Sequence, residues 1–174
     1  MIRVGVVTIS DSAVAGRRED ASGPAVAARV QELGWKVAET RLVEDSVPRI
    51  SHVLSTMADS GVVEVVLTTG GTGVAARDVT PEAVREIAHR EIPGFGELMR
   101  SEGRKSTKFA SLSRSGAATR GTTLLVTLPG SPRGAVDSLN AVAELIPHVV
   151  DLLHGHTEHS KPIAQTVYPI SEVP

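Results

Sequence analysis

Three glycines within four residues, Gly70-Gly71-Thr72-Gly73, separate an apolar β-branched run from a helix-opening signal. No other feature constrains the chain as much. Val62-Val63-Glu64-Val65-Val66-Leu67 is too short for a helix and has the composition of a buried strand. Thr80-Pro81-Glu82 supplies a capping hydroxyl, a first-turn proline and a first-turn acid. Glycine admits positive φ and lets a ligand approach the main chain without a Cβ in the way. A strand, a glycine loop and a helix N-terminus in succession present N–H groups and a positive dipole end to an anion, typically phosphate. No Lys follows the glycines, which excludes a Walker A loop, and the dinucleotide fingerprint lacks its third glycine. A simple turn accounts for the glycines alone. The whole string from Thr68 to Glu82, with Arg77 and Asp78 ahead of the helix, points to a ligand site.

The flanking chain alternates strands with helices. Ile2–Ile9 is apolar on both faces and reads as a central parallel strand, ending at Ser10-Asp11-Ser12. The polar loop Gly16-Arg17-Arg18-Glu19-Asp20 leaves two readings open: a solvated turn, or a flap whose arginines meet phosphate. Ser22 caps a helix with Pro24 in its first turn and Gly34 at its end; Trp35–Val43 is a second strand, with Trp35 a packing residue. Ile50, Val53, Leu54 and Met57 give the helix over 47–60 its buried stripe. A helix over 80–89 follows the glycine loop. Pro93-Gly94-Phe95-Gly96 interrupts the pattern before another short helix to about Gly103, and Arg104–Lys108 is a solvated basic end. Gly121–Leu128 is a further strand, and Gly134–His154 a strongly amphipathic helix that Pro147 should kink or split.

This order predicts a three-layer α/β sandwich with a mostly parallel sheet, as one domain over 1–154 with a tail over 155–174 lying on the surface or a neighbouring subunit. Ligands of such sheets bind beyond the carboxyl ends of the strands. That rule gathers Ser10-Asp11, Asp45, the Thr68–Asp78 loop and Pro129–Ser131 on one edge. Two carboxylates facing a phosphate loop need a cation between them, and Mg2+ suits one or two carboxylates together with substrate phosphate oxygens.

Composition narrows the chemistry. Cysteine is absent, which excludes thiol nucleophiles, disulfides and thiolate zinc sites. A net charge of −2 without a long basic run, and an aromatic content of 2%, argue against nucleic acid as partner. No apolar stretch approaches the roughly 20 residues of a membrane helix, and no signal-peptide pattern opens the chain. The expectation is a cytoplasmic protein without membrane contact. His154-Gly155-His156-Thr157-Glu158-His159 gathers metal-ligand residue types, but a solvated helix end explains it and no function is assigned.

The string Thr68–Ala83, with Ile9-Ser10-Asp11, Val43-Glu44-Asp45, Ile92-Pro93-Gly94-Phe95-Gly96-Glu97 and Leu128-Pro129-Gly130-Ser131-Pro132, resembles the molybdopterin-binding proteins of the MogA/MoaB type. Active members of that family are molybdopterin adenylyltransferases. The resemblance implies transfer of AMP from Mg-ATP to the terminal phosphate of molybdopterin with release of pyrophosphate. It implies Asp45 and Asp78 as catalytic acids and ligands of Mg2+. It also implies Thr69, Gly70, Gly71, Thr72 and Gly73 as a phosphate and pterin cradle, with Ser10, Asp11, Ser113, Gly130 and Ser131 as further substrate or nucleotide contacts. Glu44 and Ser46 depart from the commoner form around Asp45. Read without the resemblance, Asp45 is a loop or capping acid and each of these serines a helix cap. The family also implies a homotrimer and transient contact with other proteins of the molybdenum cofactor pathway. A non-catalytic molybdopterin carrier on the same fold stays open as the second reading.

Overall fold

The structure is a computed structural model that describes residues 1–156. Its sheet contains β1 (Arg3–Ile9), β2 (Lys36–Val43), β3 (Val65–Thr69), β4 (Arg90–Ile92), β5 (Ala117–Arg120) and β6 (Thr123–Leu128), in the order β2-β1-β3-β6-β5-β4. The first four strands of that order are parallel, with Val4 opposite Val65 and Val65 opposite Leu124. β5 and β4 run antiparallel at one edge. The sequence pattern did not reveal these two. Ala117-Ala118-Thr119-Arg120 has little β-branched character, and the expected strand over 121–128 begins only at Thr123, because Gly121 turns the β5–β6 hairpin at φ 54°.

The helices are α1 (Asp11–Val14), α2 (Ser22–Glu32), α3 (Val47–Asp59), α4 (Thr80–Ile87), α5 (Pro93–Gly103), α6 (Pro132–Val142) and α7 (Ile146–Leu153), with a 3-10 turn at Lys108–Leu112. Strand periodicity divides the core into two layers. Val4, Val6, Val65, Leu67, Leu124 and Val126 pack against α2, α5, α6 and α7, while Val7, Ile9, Val66 and Leu125 face α3 and α4. Helices on both faces of a mostly parallel sheet make the three-layer sandwich that the sequence predicts.

Some local readings change. Pro93-Gly94-Phe95-Gly96 does not precede the short helix but forms its first turn, where the missing N–H of Pro93 costs nothing. Pro147 does split the long terminal pattern, as the sequence predicts: it stands at the start of α7, with the break at Ala143–Leu145. Ser22 is the first residue of α2 rather than its cap; the Asp20 carboxylate accepts the N–H groups of Ser22 and Gly23 at 3.1 and 3.0 Å. Thr80 likewise opens α4 without capping it. The expectation for the tail falls, from residue 157 onward, outside the described residues.

β1 is the point where the strand order reverses: β2 lies on one side and β3 on the other. The crevice beyond the carboxyl ends of these strands is where such a sheet takes a ligand.

Candidate active site

At the end of β3 the chain turns through Gly70 at φ 110° and Gly71 at φ 63°. A Cβ on Gly70 would stand 2.2 Å from the Ile9 carbonyl oxygen, so only glycine lets this loop cross the end of β1. Across the loop, Gly130 leaves room for the Gly70 Cα, which would be 3.2 Å from a Cβ placed there. The Gly70 N–H donates to the Leu128 carbonyl at 3.2 Å, and the Thr69 hydroxyl to the Pro129 carbonyl at 2.7 Å. The loop is thereby tied to the end of β6 and packed against the end of β1. Thr80 is fully buried, and its hydroxyl donates to the Gly70 carbonyl at 2.9 Å, which is why it does not cap α4.

Asp11 and Asp45, at the ends of β1 and β2, exchange hydrogen bonds. Asp11 N–H donates to Asp45 Oδ2 at 2.9 Å, and Asp45 N–H to Asp11 Oδ1 at 3.0 Å. The other oxygen of Asp11 is paired with Arg77. Asp45 Oδ1 is left facing the loop, 3.1 Å from where a Cβ on Gly71 would lie. Burial pushes the Asp45 carboxyl above its ordinary range; the Asp11 N–H opposes this, the Asp11 charge adds to it, Arg77 opposes it and the Asp78 charge adds to it. Asp78 accepts the Ala75 N–H at 2.8 Å and lies against Gly73, where a Cβ would stand 2.7 Å from its Oδ2.

Two cavities open on this edge. The smaller, about 350 Å³, contains Ser10, Asp45, Asp78 and Gly70 on its wall. The larger, about 500 Å³, runs beside Thr72, Gly73 and Ser113 to the apolar side chains of Met99, Phe109 and Leu112. They meet at Gly71, Asp78, Gly130 and Ser131, which line both. The fold therefore brings the sequence-predicted residues to one place, with a distinction among them. Asp11 and Thr69 line neither cavity and stand behind the wall, holding Asp45 and Pro129. Ser10 and Ser131 do serve as helix caps, accepting Ala13 N–H and Gly134 N–H. The Ser113 hydroxyl donates to that of Ser115 at 2.9 Å.

Sequence reasoning missed two residues that shape the site. Arg114 reaches from the segment before β5 to the carbonyls of Gly73, at 2.7 Å, and Asp78, at 2.5 Å, and pairs with Glu82. Its own N–H donates to the Thr72 carbonyl at 2.8 Å, so one residue grips the loop in three places and the first turn of α4 in a fourth. Nothing local in the sequence marks it. Asp20 holds the start of α2 and accepts the Thr8 hydroxyl at 2.6 Å. Its signal was legible: an acid two residues before Ser22, at capping distance from the helix.

A family profile described as a probable molybdopterin binding domain matches residues 5–148. The chain belongs to the molybdopterin-binding domain family. Among members of that family, the molybdopterin adenylyltransferase of Helicobacter pylori strain J99 is 40% identical over 157 residues, covering 89% of each chain. The molybdopterin adenylyltransferase of Escherichia coli K12 is 38% identical over 162 residues, covering 88% of this chain and 79% of its own. The molybdopterin biosynthesis enzyme MoaB of Thermus thermophilus superposes with a TM-score of 0.84 at 46% identity, over 89% of this chain and 98% of its own.

Among the described residues no three His, Cys, Asp or Glu side chains converge on a point, so these residues form no closed metal cage. Asp45 and Asp78 share a cavity, and the Asp78 charge adds to the burial that raises the Asp45 carboxyl. Two carboxylates with room for phosphate oxygens are the donor set that Mg2+ accepts.

Proposed function

We propose that this chain adenylylates molybdopterin, transferring AMP from Mg-ATP to the terminal phosphate of the pterin and releasing pyrophosphate. The observation that carries the proposal is the position of Asp45 and Asp78 on the wall of a polar cavity that adjoins a larger one at Gly71 and Gly130. The larger cavity, with Met99, Phe109 and Leu112, suits a ring system. The smaller one suits a triphosphate with its metal.

In this reading Asp45 and Asp78 hold Mg2+, which, when bound, offsets the charge that develops on the phosphate oxygens. The N–H groups of the glycine loop and of the α4 N-terminus orient those oxygens. Asp11 keeps Asp45 in place, and Arg114 keeps Asp78 in place. Ser10, Ser113 and Ser131 contact substrate as well as serving their local hydrogen bonds. Thr69 and Thr72 set the shape of the loop.

The test is pyrophosphate release with freshly prepared molybdopterin and Mg-ATP. Release by the native chain, abolished in Asp78→Asn and Asp45→Asn while pterin still binds, is the expected result. Binding of molybdopterin without release would make the chain a carrier. We propose further that it works in the cytoplasm as a homotrimer; sedimentation at several concentrations tests the assembly, and a monomer throughout would refute it. Among the described residues no helix is long and apolar enough to cross a membrane.

A further inference from the structure

The loop after α1 carries two adjacent arginines whose surroundings differ. Its backbone is fixed at both ends. Gly16 takes φ 66°, and the N–H groups of Arg17 and Arg18 both donate to the Ser12 carbonyl, at 2.9 and 3.2 Å. Two residues further on, Asp20 is held by the Thr8 hydroxyl and the first N–H groups of α2. Between these anchors Arg18 lines the same cavity as Asp45 and Asp78, whereas Arg17 is not part of its wall.

Arg18 is the cation on that wall, among Glu19, Asp20, Asp45 and Asp78. The nearby Arg77 is paired with Asp11, and Asp20 is occupied by Thr8, Ser22 and Gly23. No ion pair or side-chain hydrogen bond of Arg18 is found among the described residues. A guanidinium with no partner among the described residues, in an acid-walled cavity, is arranged for a polyanion, and its fork matches phosphate oxygens. We infer that Arg18 binds the β- and γ-phosphates of the nucleotide and stabilises the departing pyrophosphate, while Arg17 takes no part.

The inference rests on the proposed adenylyl transfer. In that step an oxygen of the molybdopterin phosphate forms a bond to the α-phosphorus of ATP. The bond from that phosphorus to the α,β-bridging oxygen breaks, and its electron pair stays on the oxygen of the leaving pyrophosphate. No oxidant or further reactant enters. Negative charge grows on the leaving group, and a guanidinium already in contact with its phosphates lowers that barrier without reorganising.

The experiment compares native protein with Arg18→Ala, Arg18→Lys and Arg17→Ala, using magnesium pyrophosphate and AMP as probes. Both arginines are exposed, so all variants should melt within about 2 °C of the native chain. Loss of a charge-assisted contact predicts pyrophosphate binding weakened about tenfold to hundredfold in Arg18→Ala, partly restored in Arg18→Lys. Arg17→Ala should stay within about twofold of native, as should AMP binding in every variant. Equal losses in Arg17→Ala and Arg18→Ala, or equal losses for AMP and pyrophosphate, would overturn the assignment. So would a native chain that binds no pyrophosphate. Calorimetric titration with magnesium pyrophosphate reads this without turnover. A native chain that transfers no AMP, yet loses pyrophosphate on Arg18→Ala, would refute the proposed reaction and keep the subsite.

Discussion

Asp11 and Asp45 hold each other by reciprocal backbone-to-carboxylate hydrogen bonds, at 2.9 and 3.0 Å, across the ends of two paired strands. One acid therefore fixes the orientation of the other and leaves a single Asp45 oxygen, Oδ1, turned to the loop. Replacing Asp11 with Ala removes an acceptor for the Asp45 N–H together with the partner of Arg77. The expected stability loss is about 1–3 kcal/mol by urea unfolding. Activity should fall further than stability explains, because the Asp45 main chain loses the anchor that sets where its carboxylate stands. Asp11→Asn keeps an acceptor oxygen and should recover part of both.

The Asp45 carboxyl titrates above its ordinary value of 3.8, chiefly through burial, with Arg77 among the influences that hold it down. Removing that positive charge in Arg77→Ala disfavours the carboxylate and moves the titration to higher pH. Carboxyl NMR of Asp45 reads this directly, and the acid limb of kcat/KM should move the same way. A raised folded pKa also means that ionising Asp45 costs the fold stability at higher pH. That cost disappears as pH falls through the raised value towards 3.8.

Arg114 depresses the Glu82 carboxyl below its ordinary value of 4.5, mainly through their hydrogen bond. The pair stabilises the fold above pH 4.5, and this contribution disappears as pH falls through the lower, folded value. Arg114→Ala should therefore be less stable than native at neutral pH, with the gap narrowing in acid. Because Glu82 is partly exposed, solvent screening keeps the pH-dependent share of that gap small. Arg114→Lys keeps the charge but not the fork that grips Gly73 and Asp78, so it should retain stability better than activity.

Gly70→Ala places a Cβ 2.2 Å from the Ile9 carbonyl in a backbone at φ 110°. A loss of about 3 kcal/mol or more is expected from thermal or urea unfolding. Gly16→Ala, at φ 66° with nothing within 4 Å, should cost only about 1 kcal/mol.

What could be read from the sequence depended on range. The Val65–Thr69 strand, the glycine loop and the start of α4 are encoded within neighbouring residues, and composition and turn chemistry exposed all three. Thr80 shows where this stops: it does mark the helix start, but its hydroxyl is drawn to Gly70 by tertiary contact. Arg114 was out of reach, since its partners at Gly73 and Asp78 lie far back in the chain. The β4–β5 edge was illegible for another reason, because Ala117-Ala118 satisfies a strand through pairing and burial rather than propensity.

The wedge of Gly70 between Ile9 and Gly130 also bears on how the molecule assembles. β3 pairs Val65 with Val4 on one side and with Leu124 on the other, so the loop meets both neighbours only after β6 has joined the sheet. Pairings so distant along the chain close slowly, after much of the entropy of the intervening segments has been lost. A nascent or partly folded chain without β6 accordingly has no cleft. Ligand would recognise only the finished molecule, and at a hundredfold excess over Kd would raise its apparent stability by about 2.7 kcal/mol. Occupancy and folding are then linked in one equilibrium.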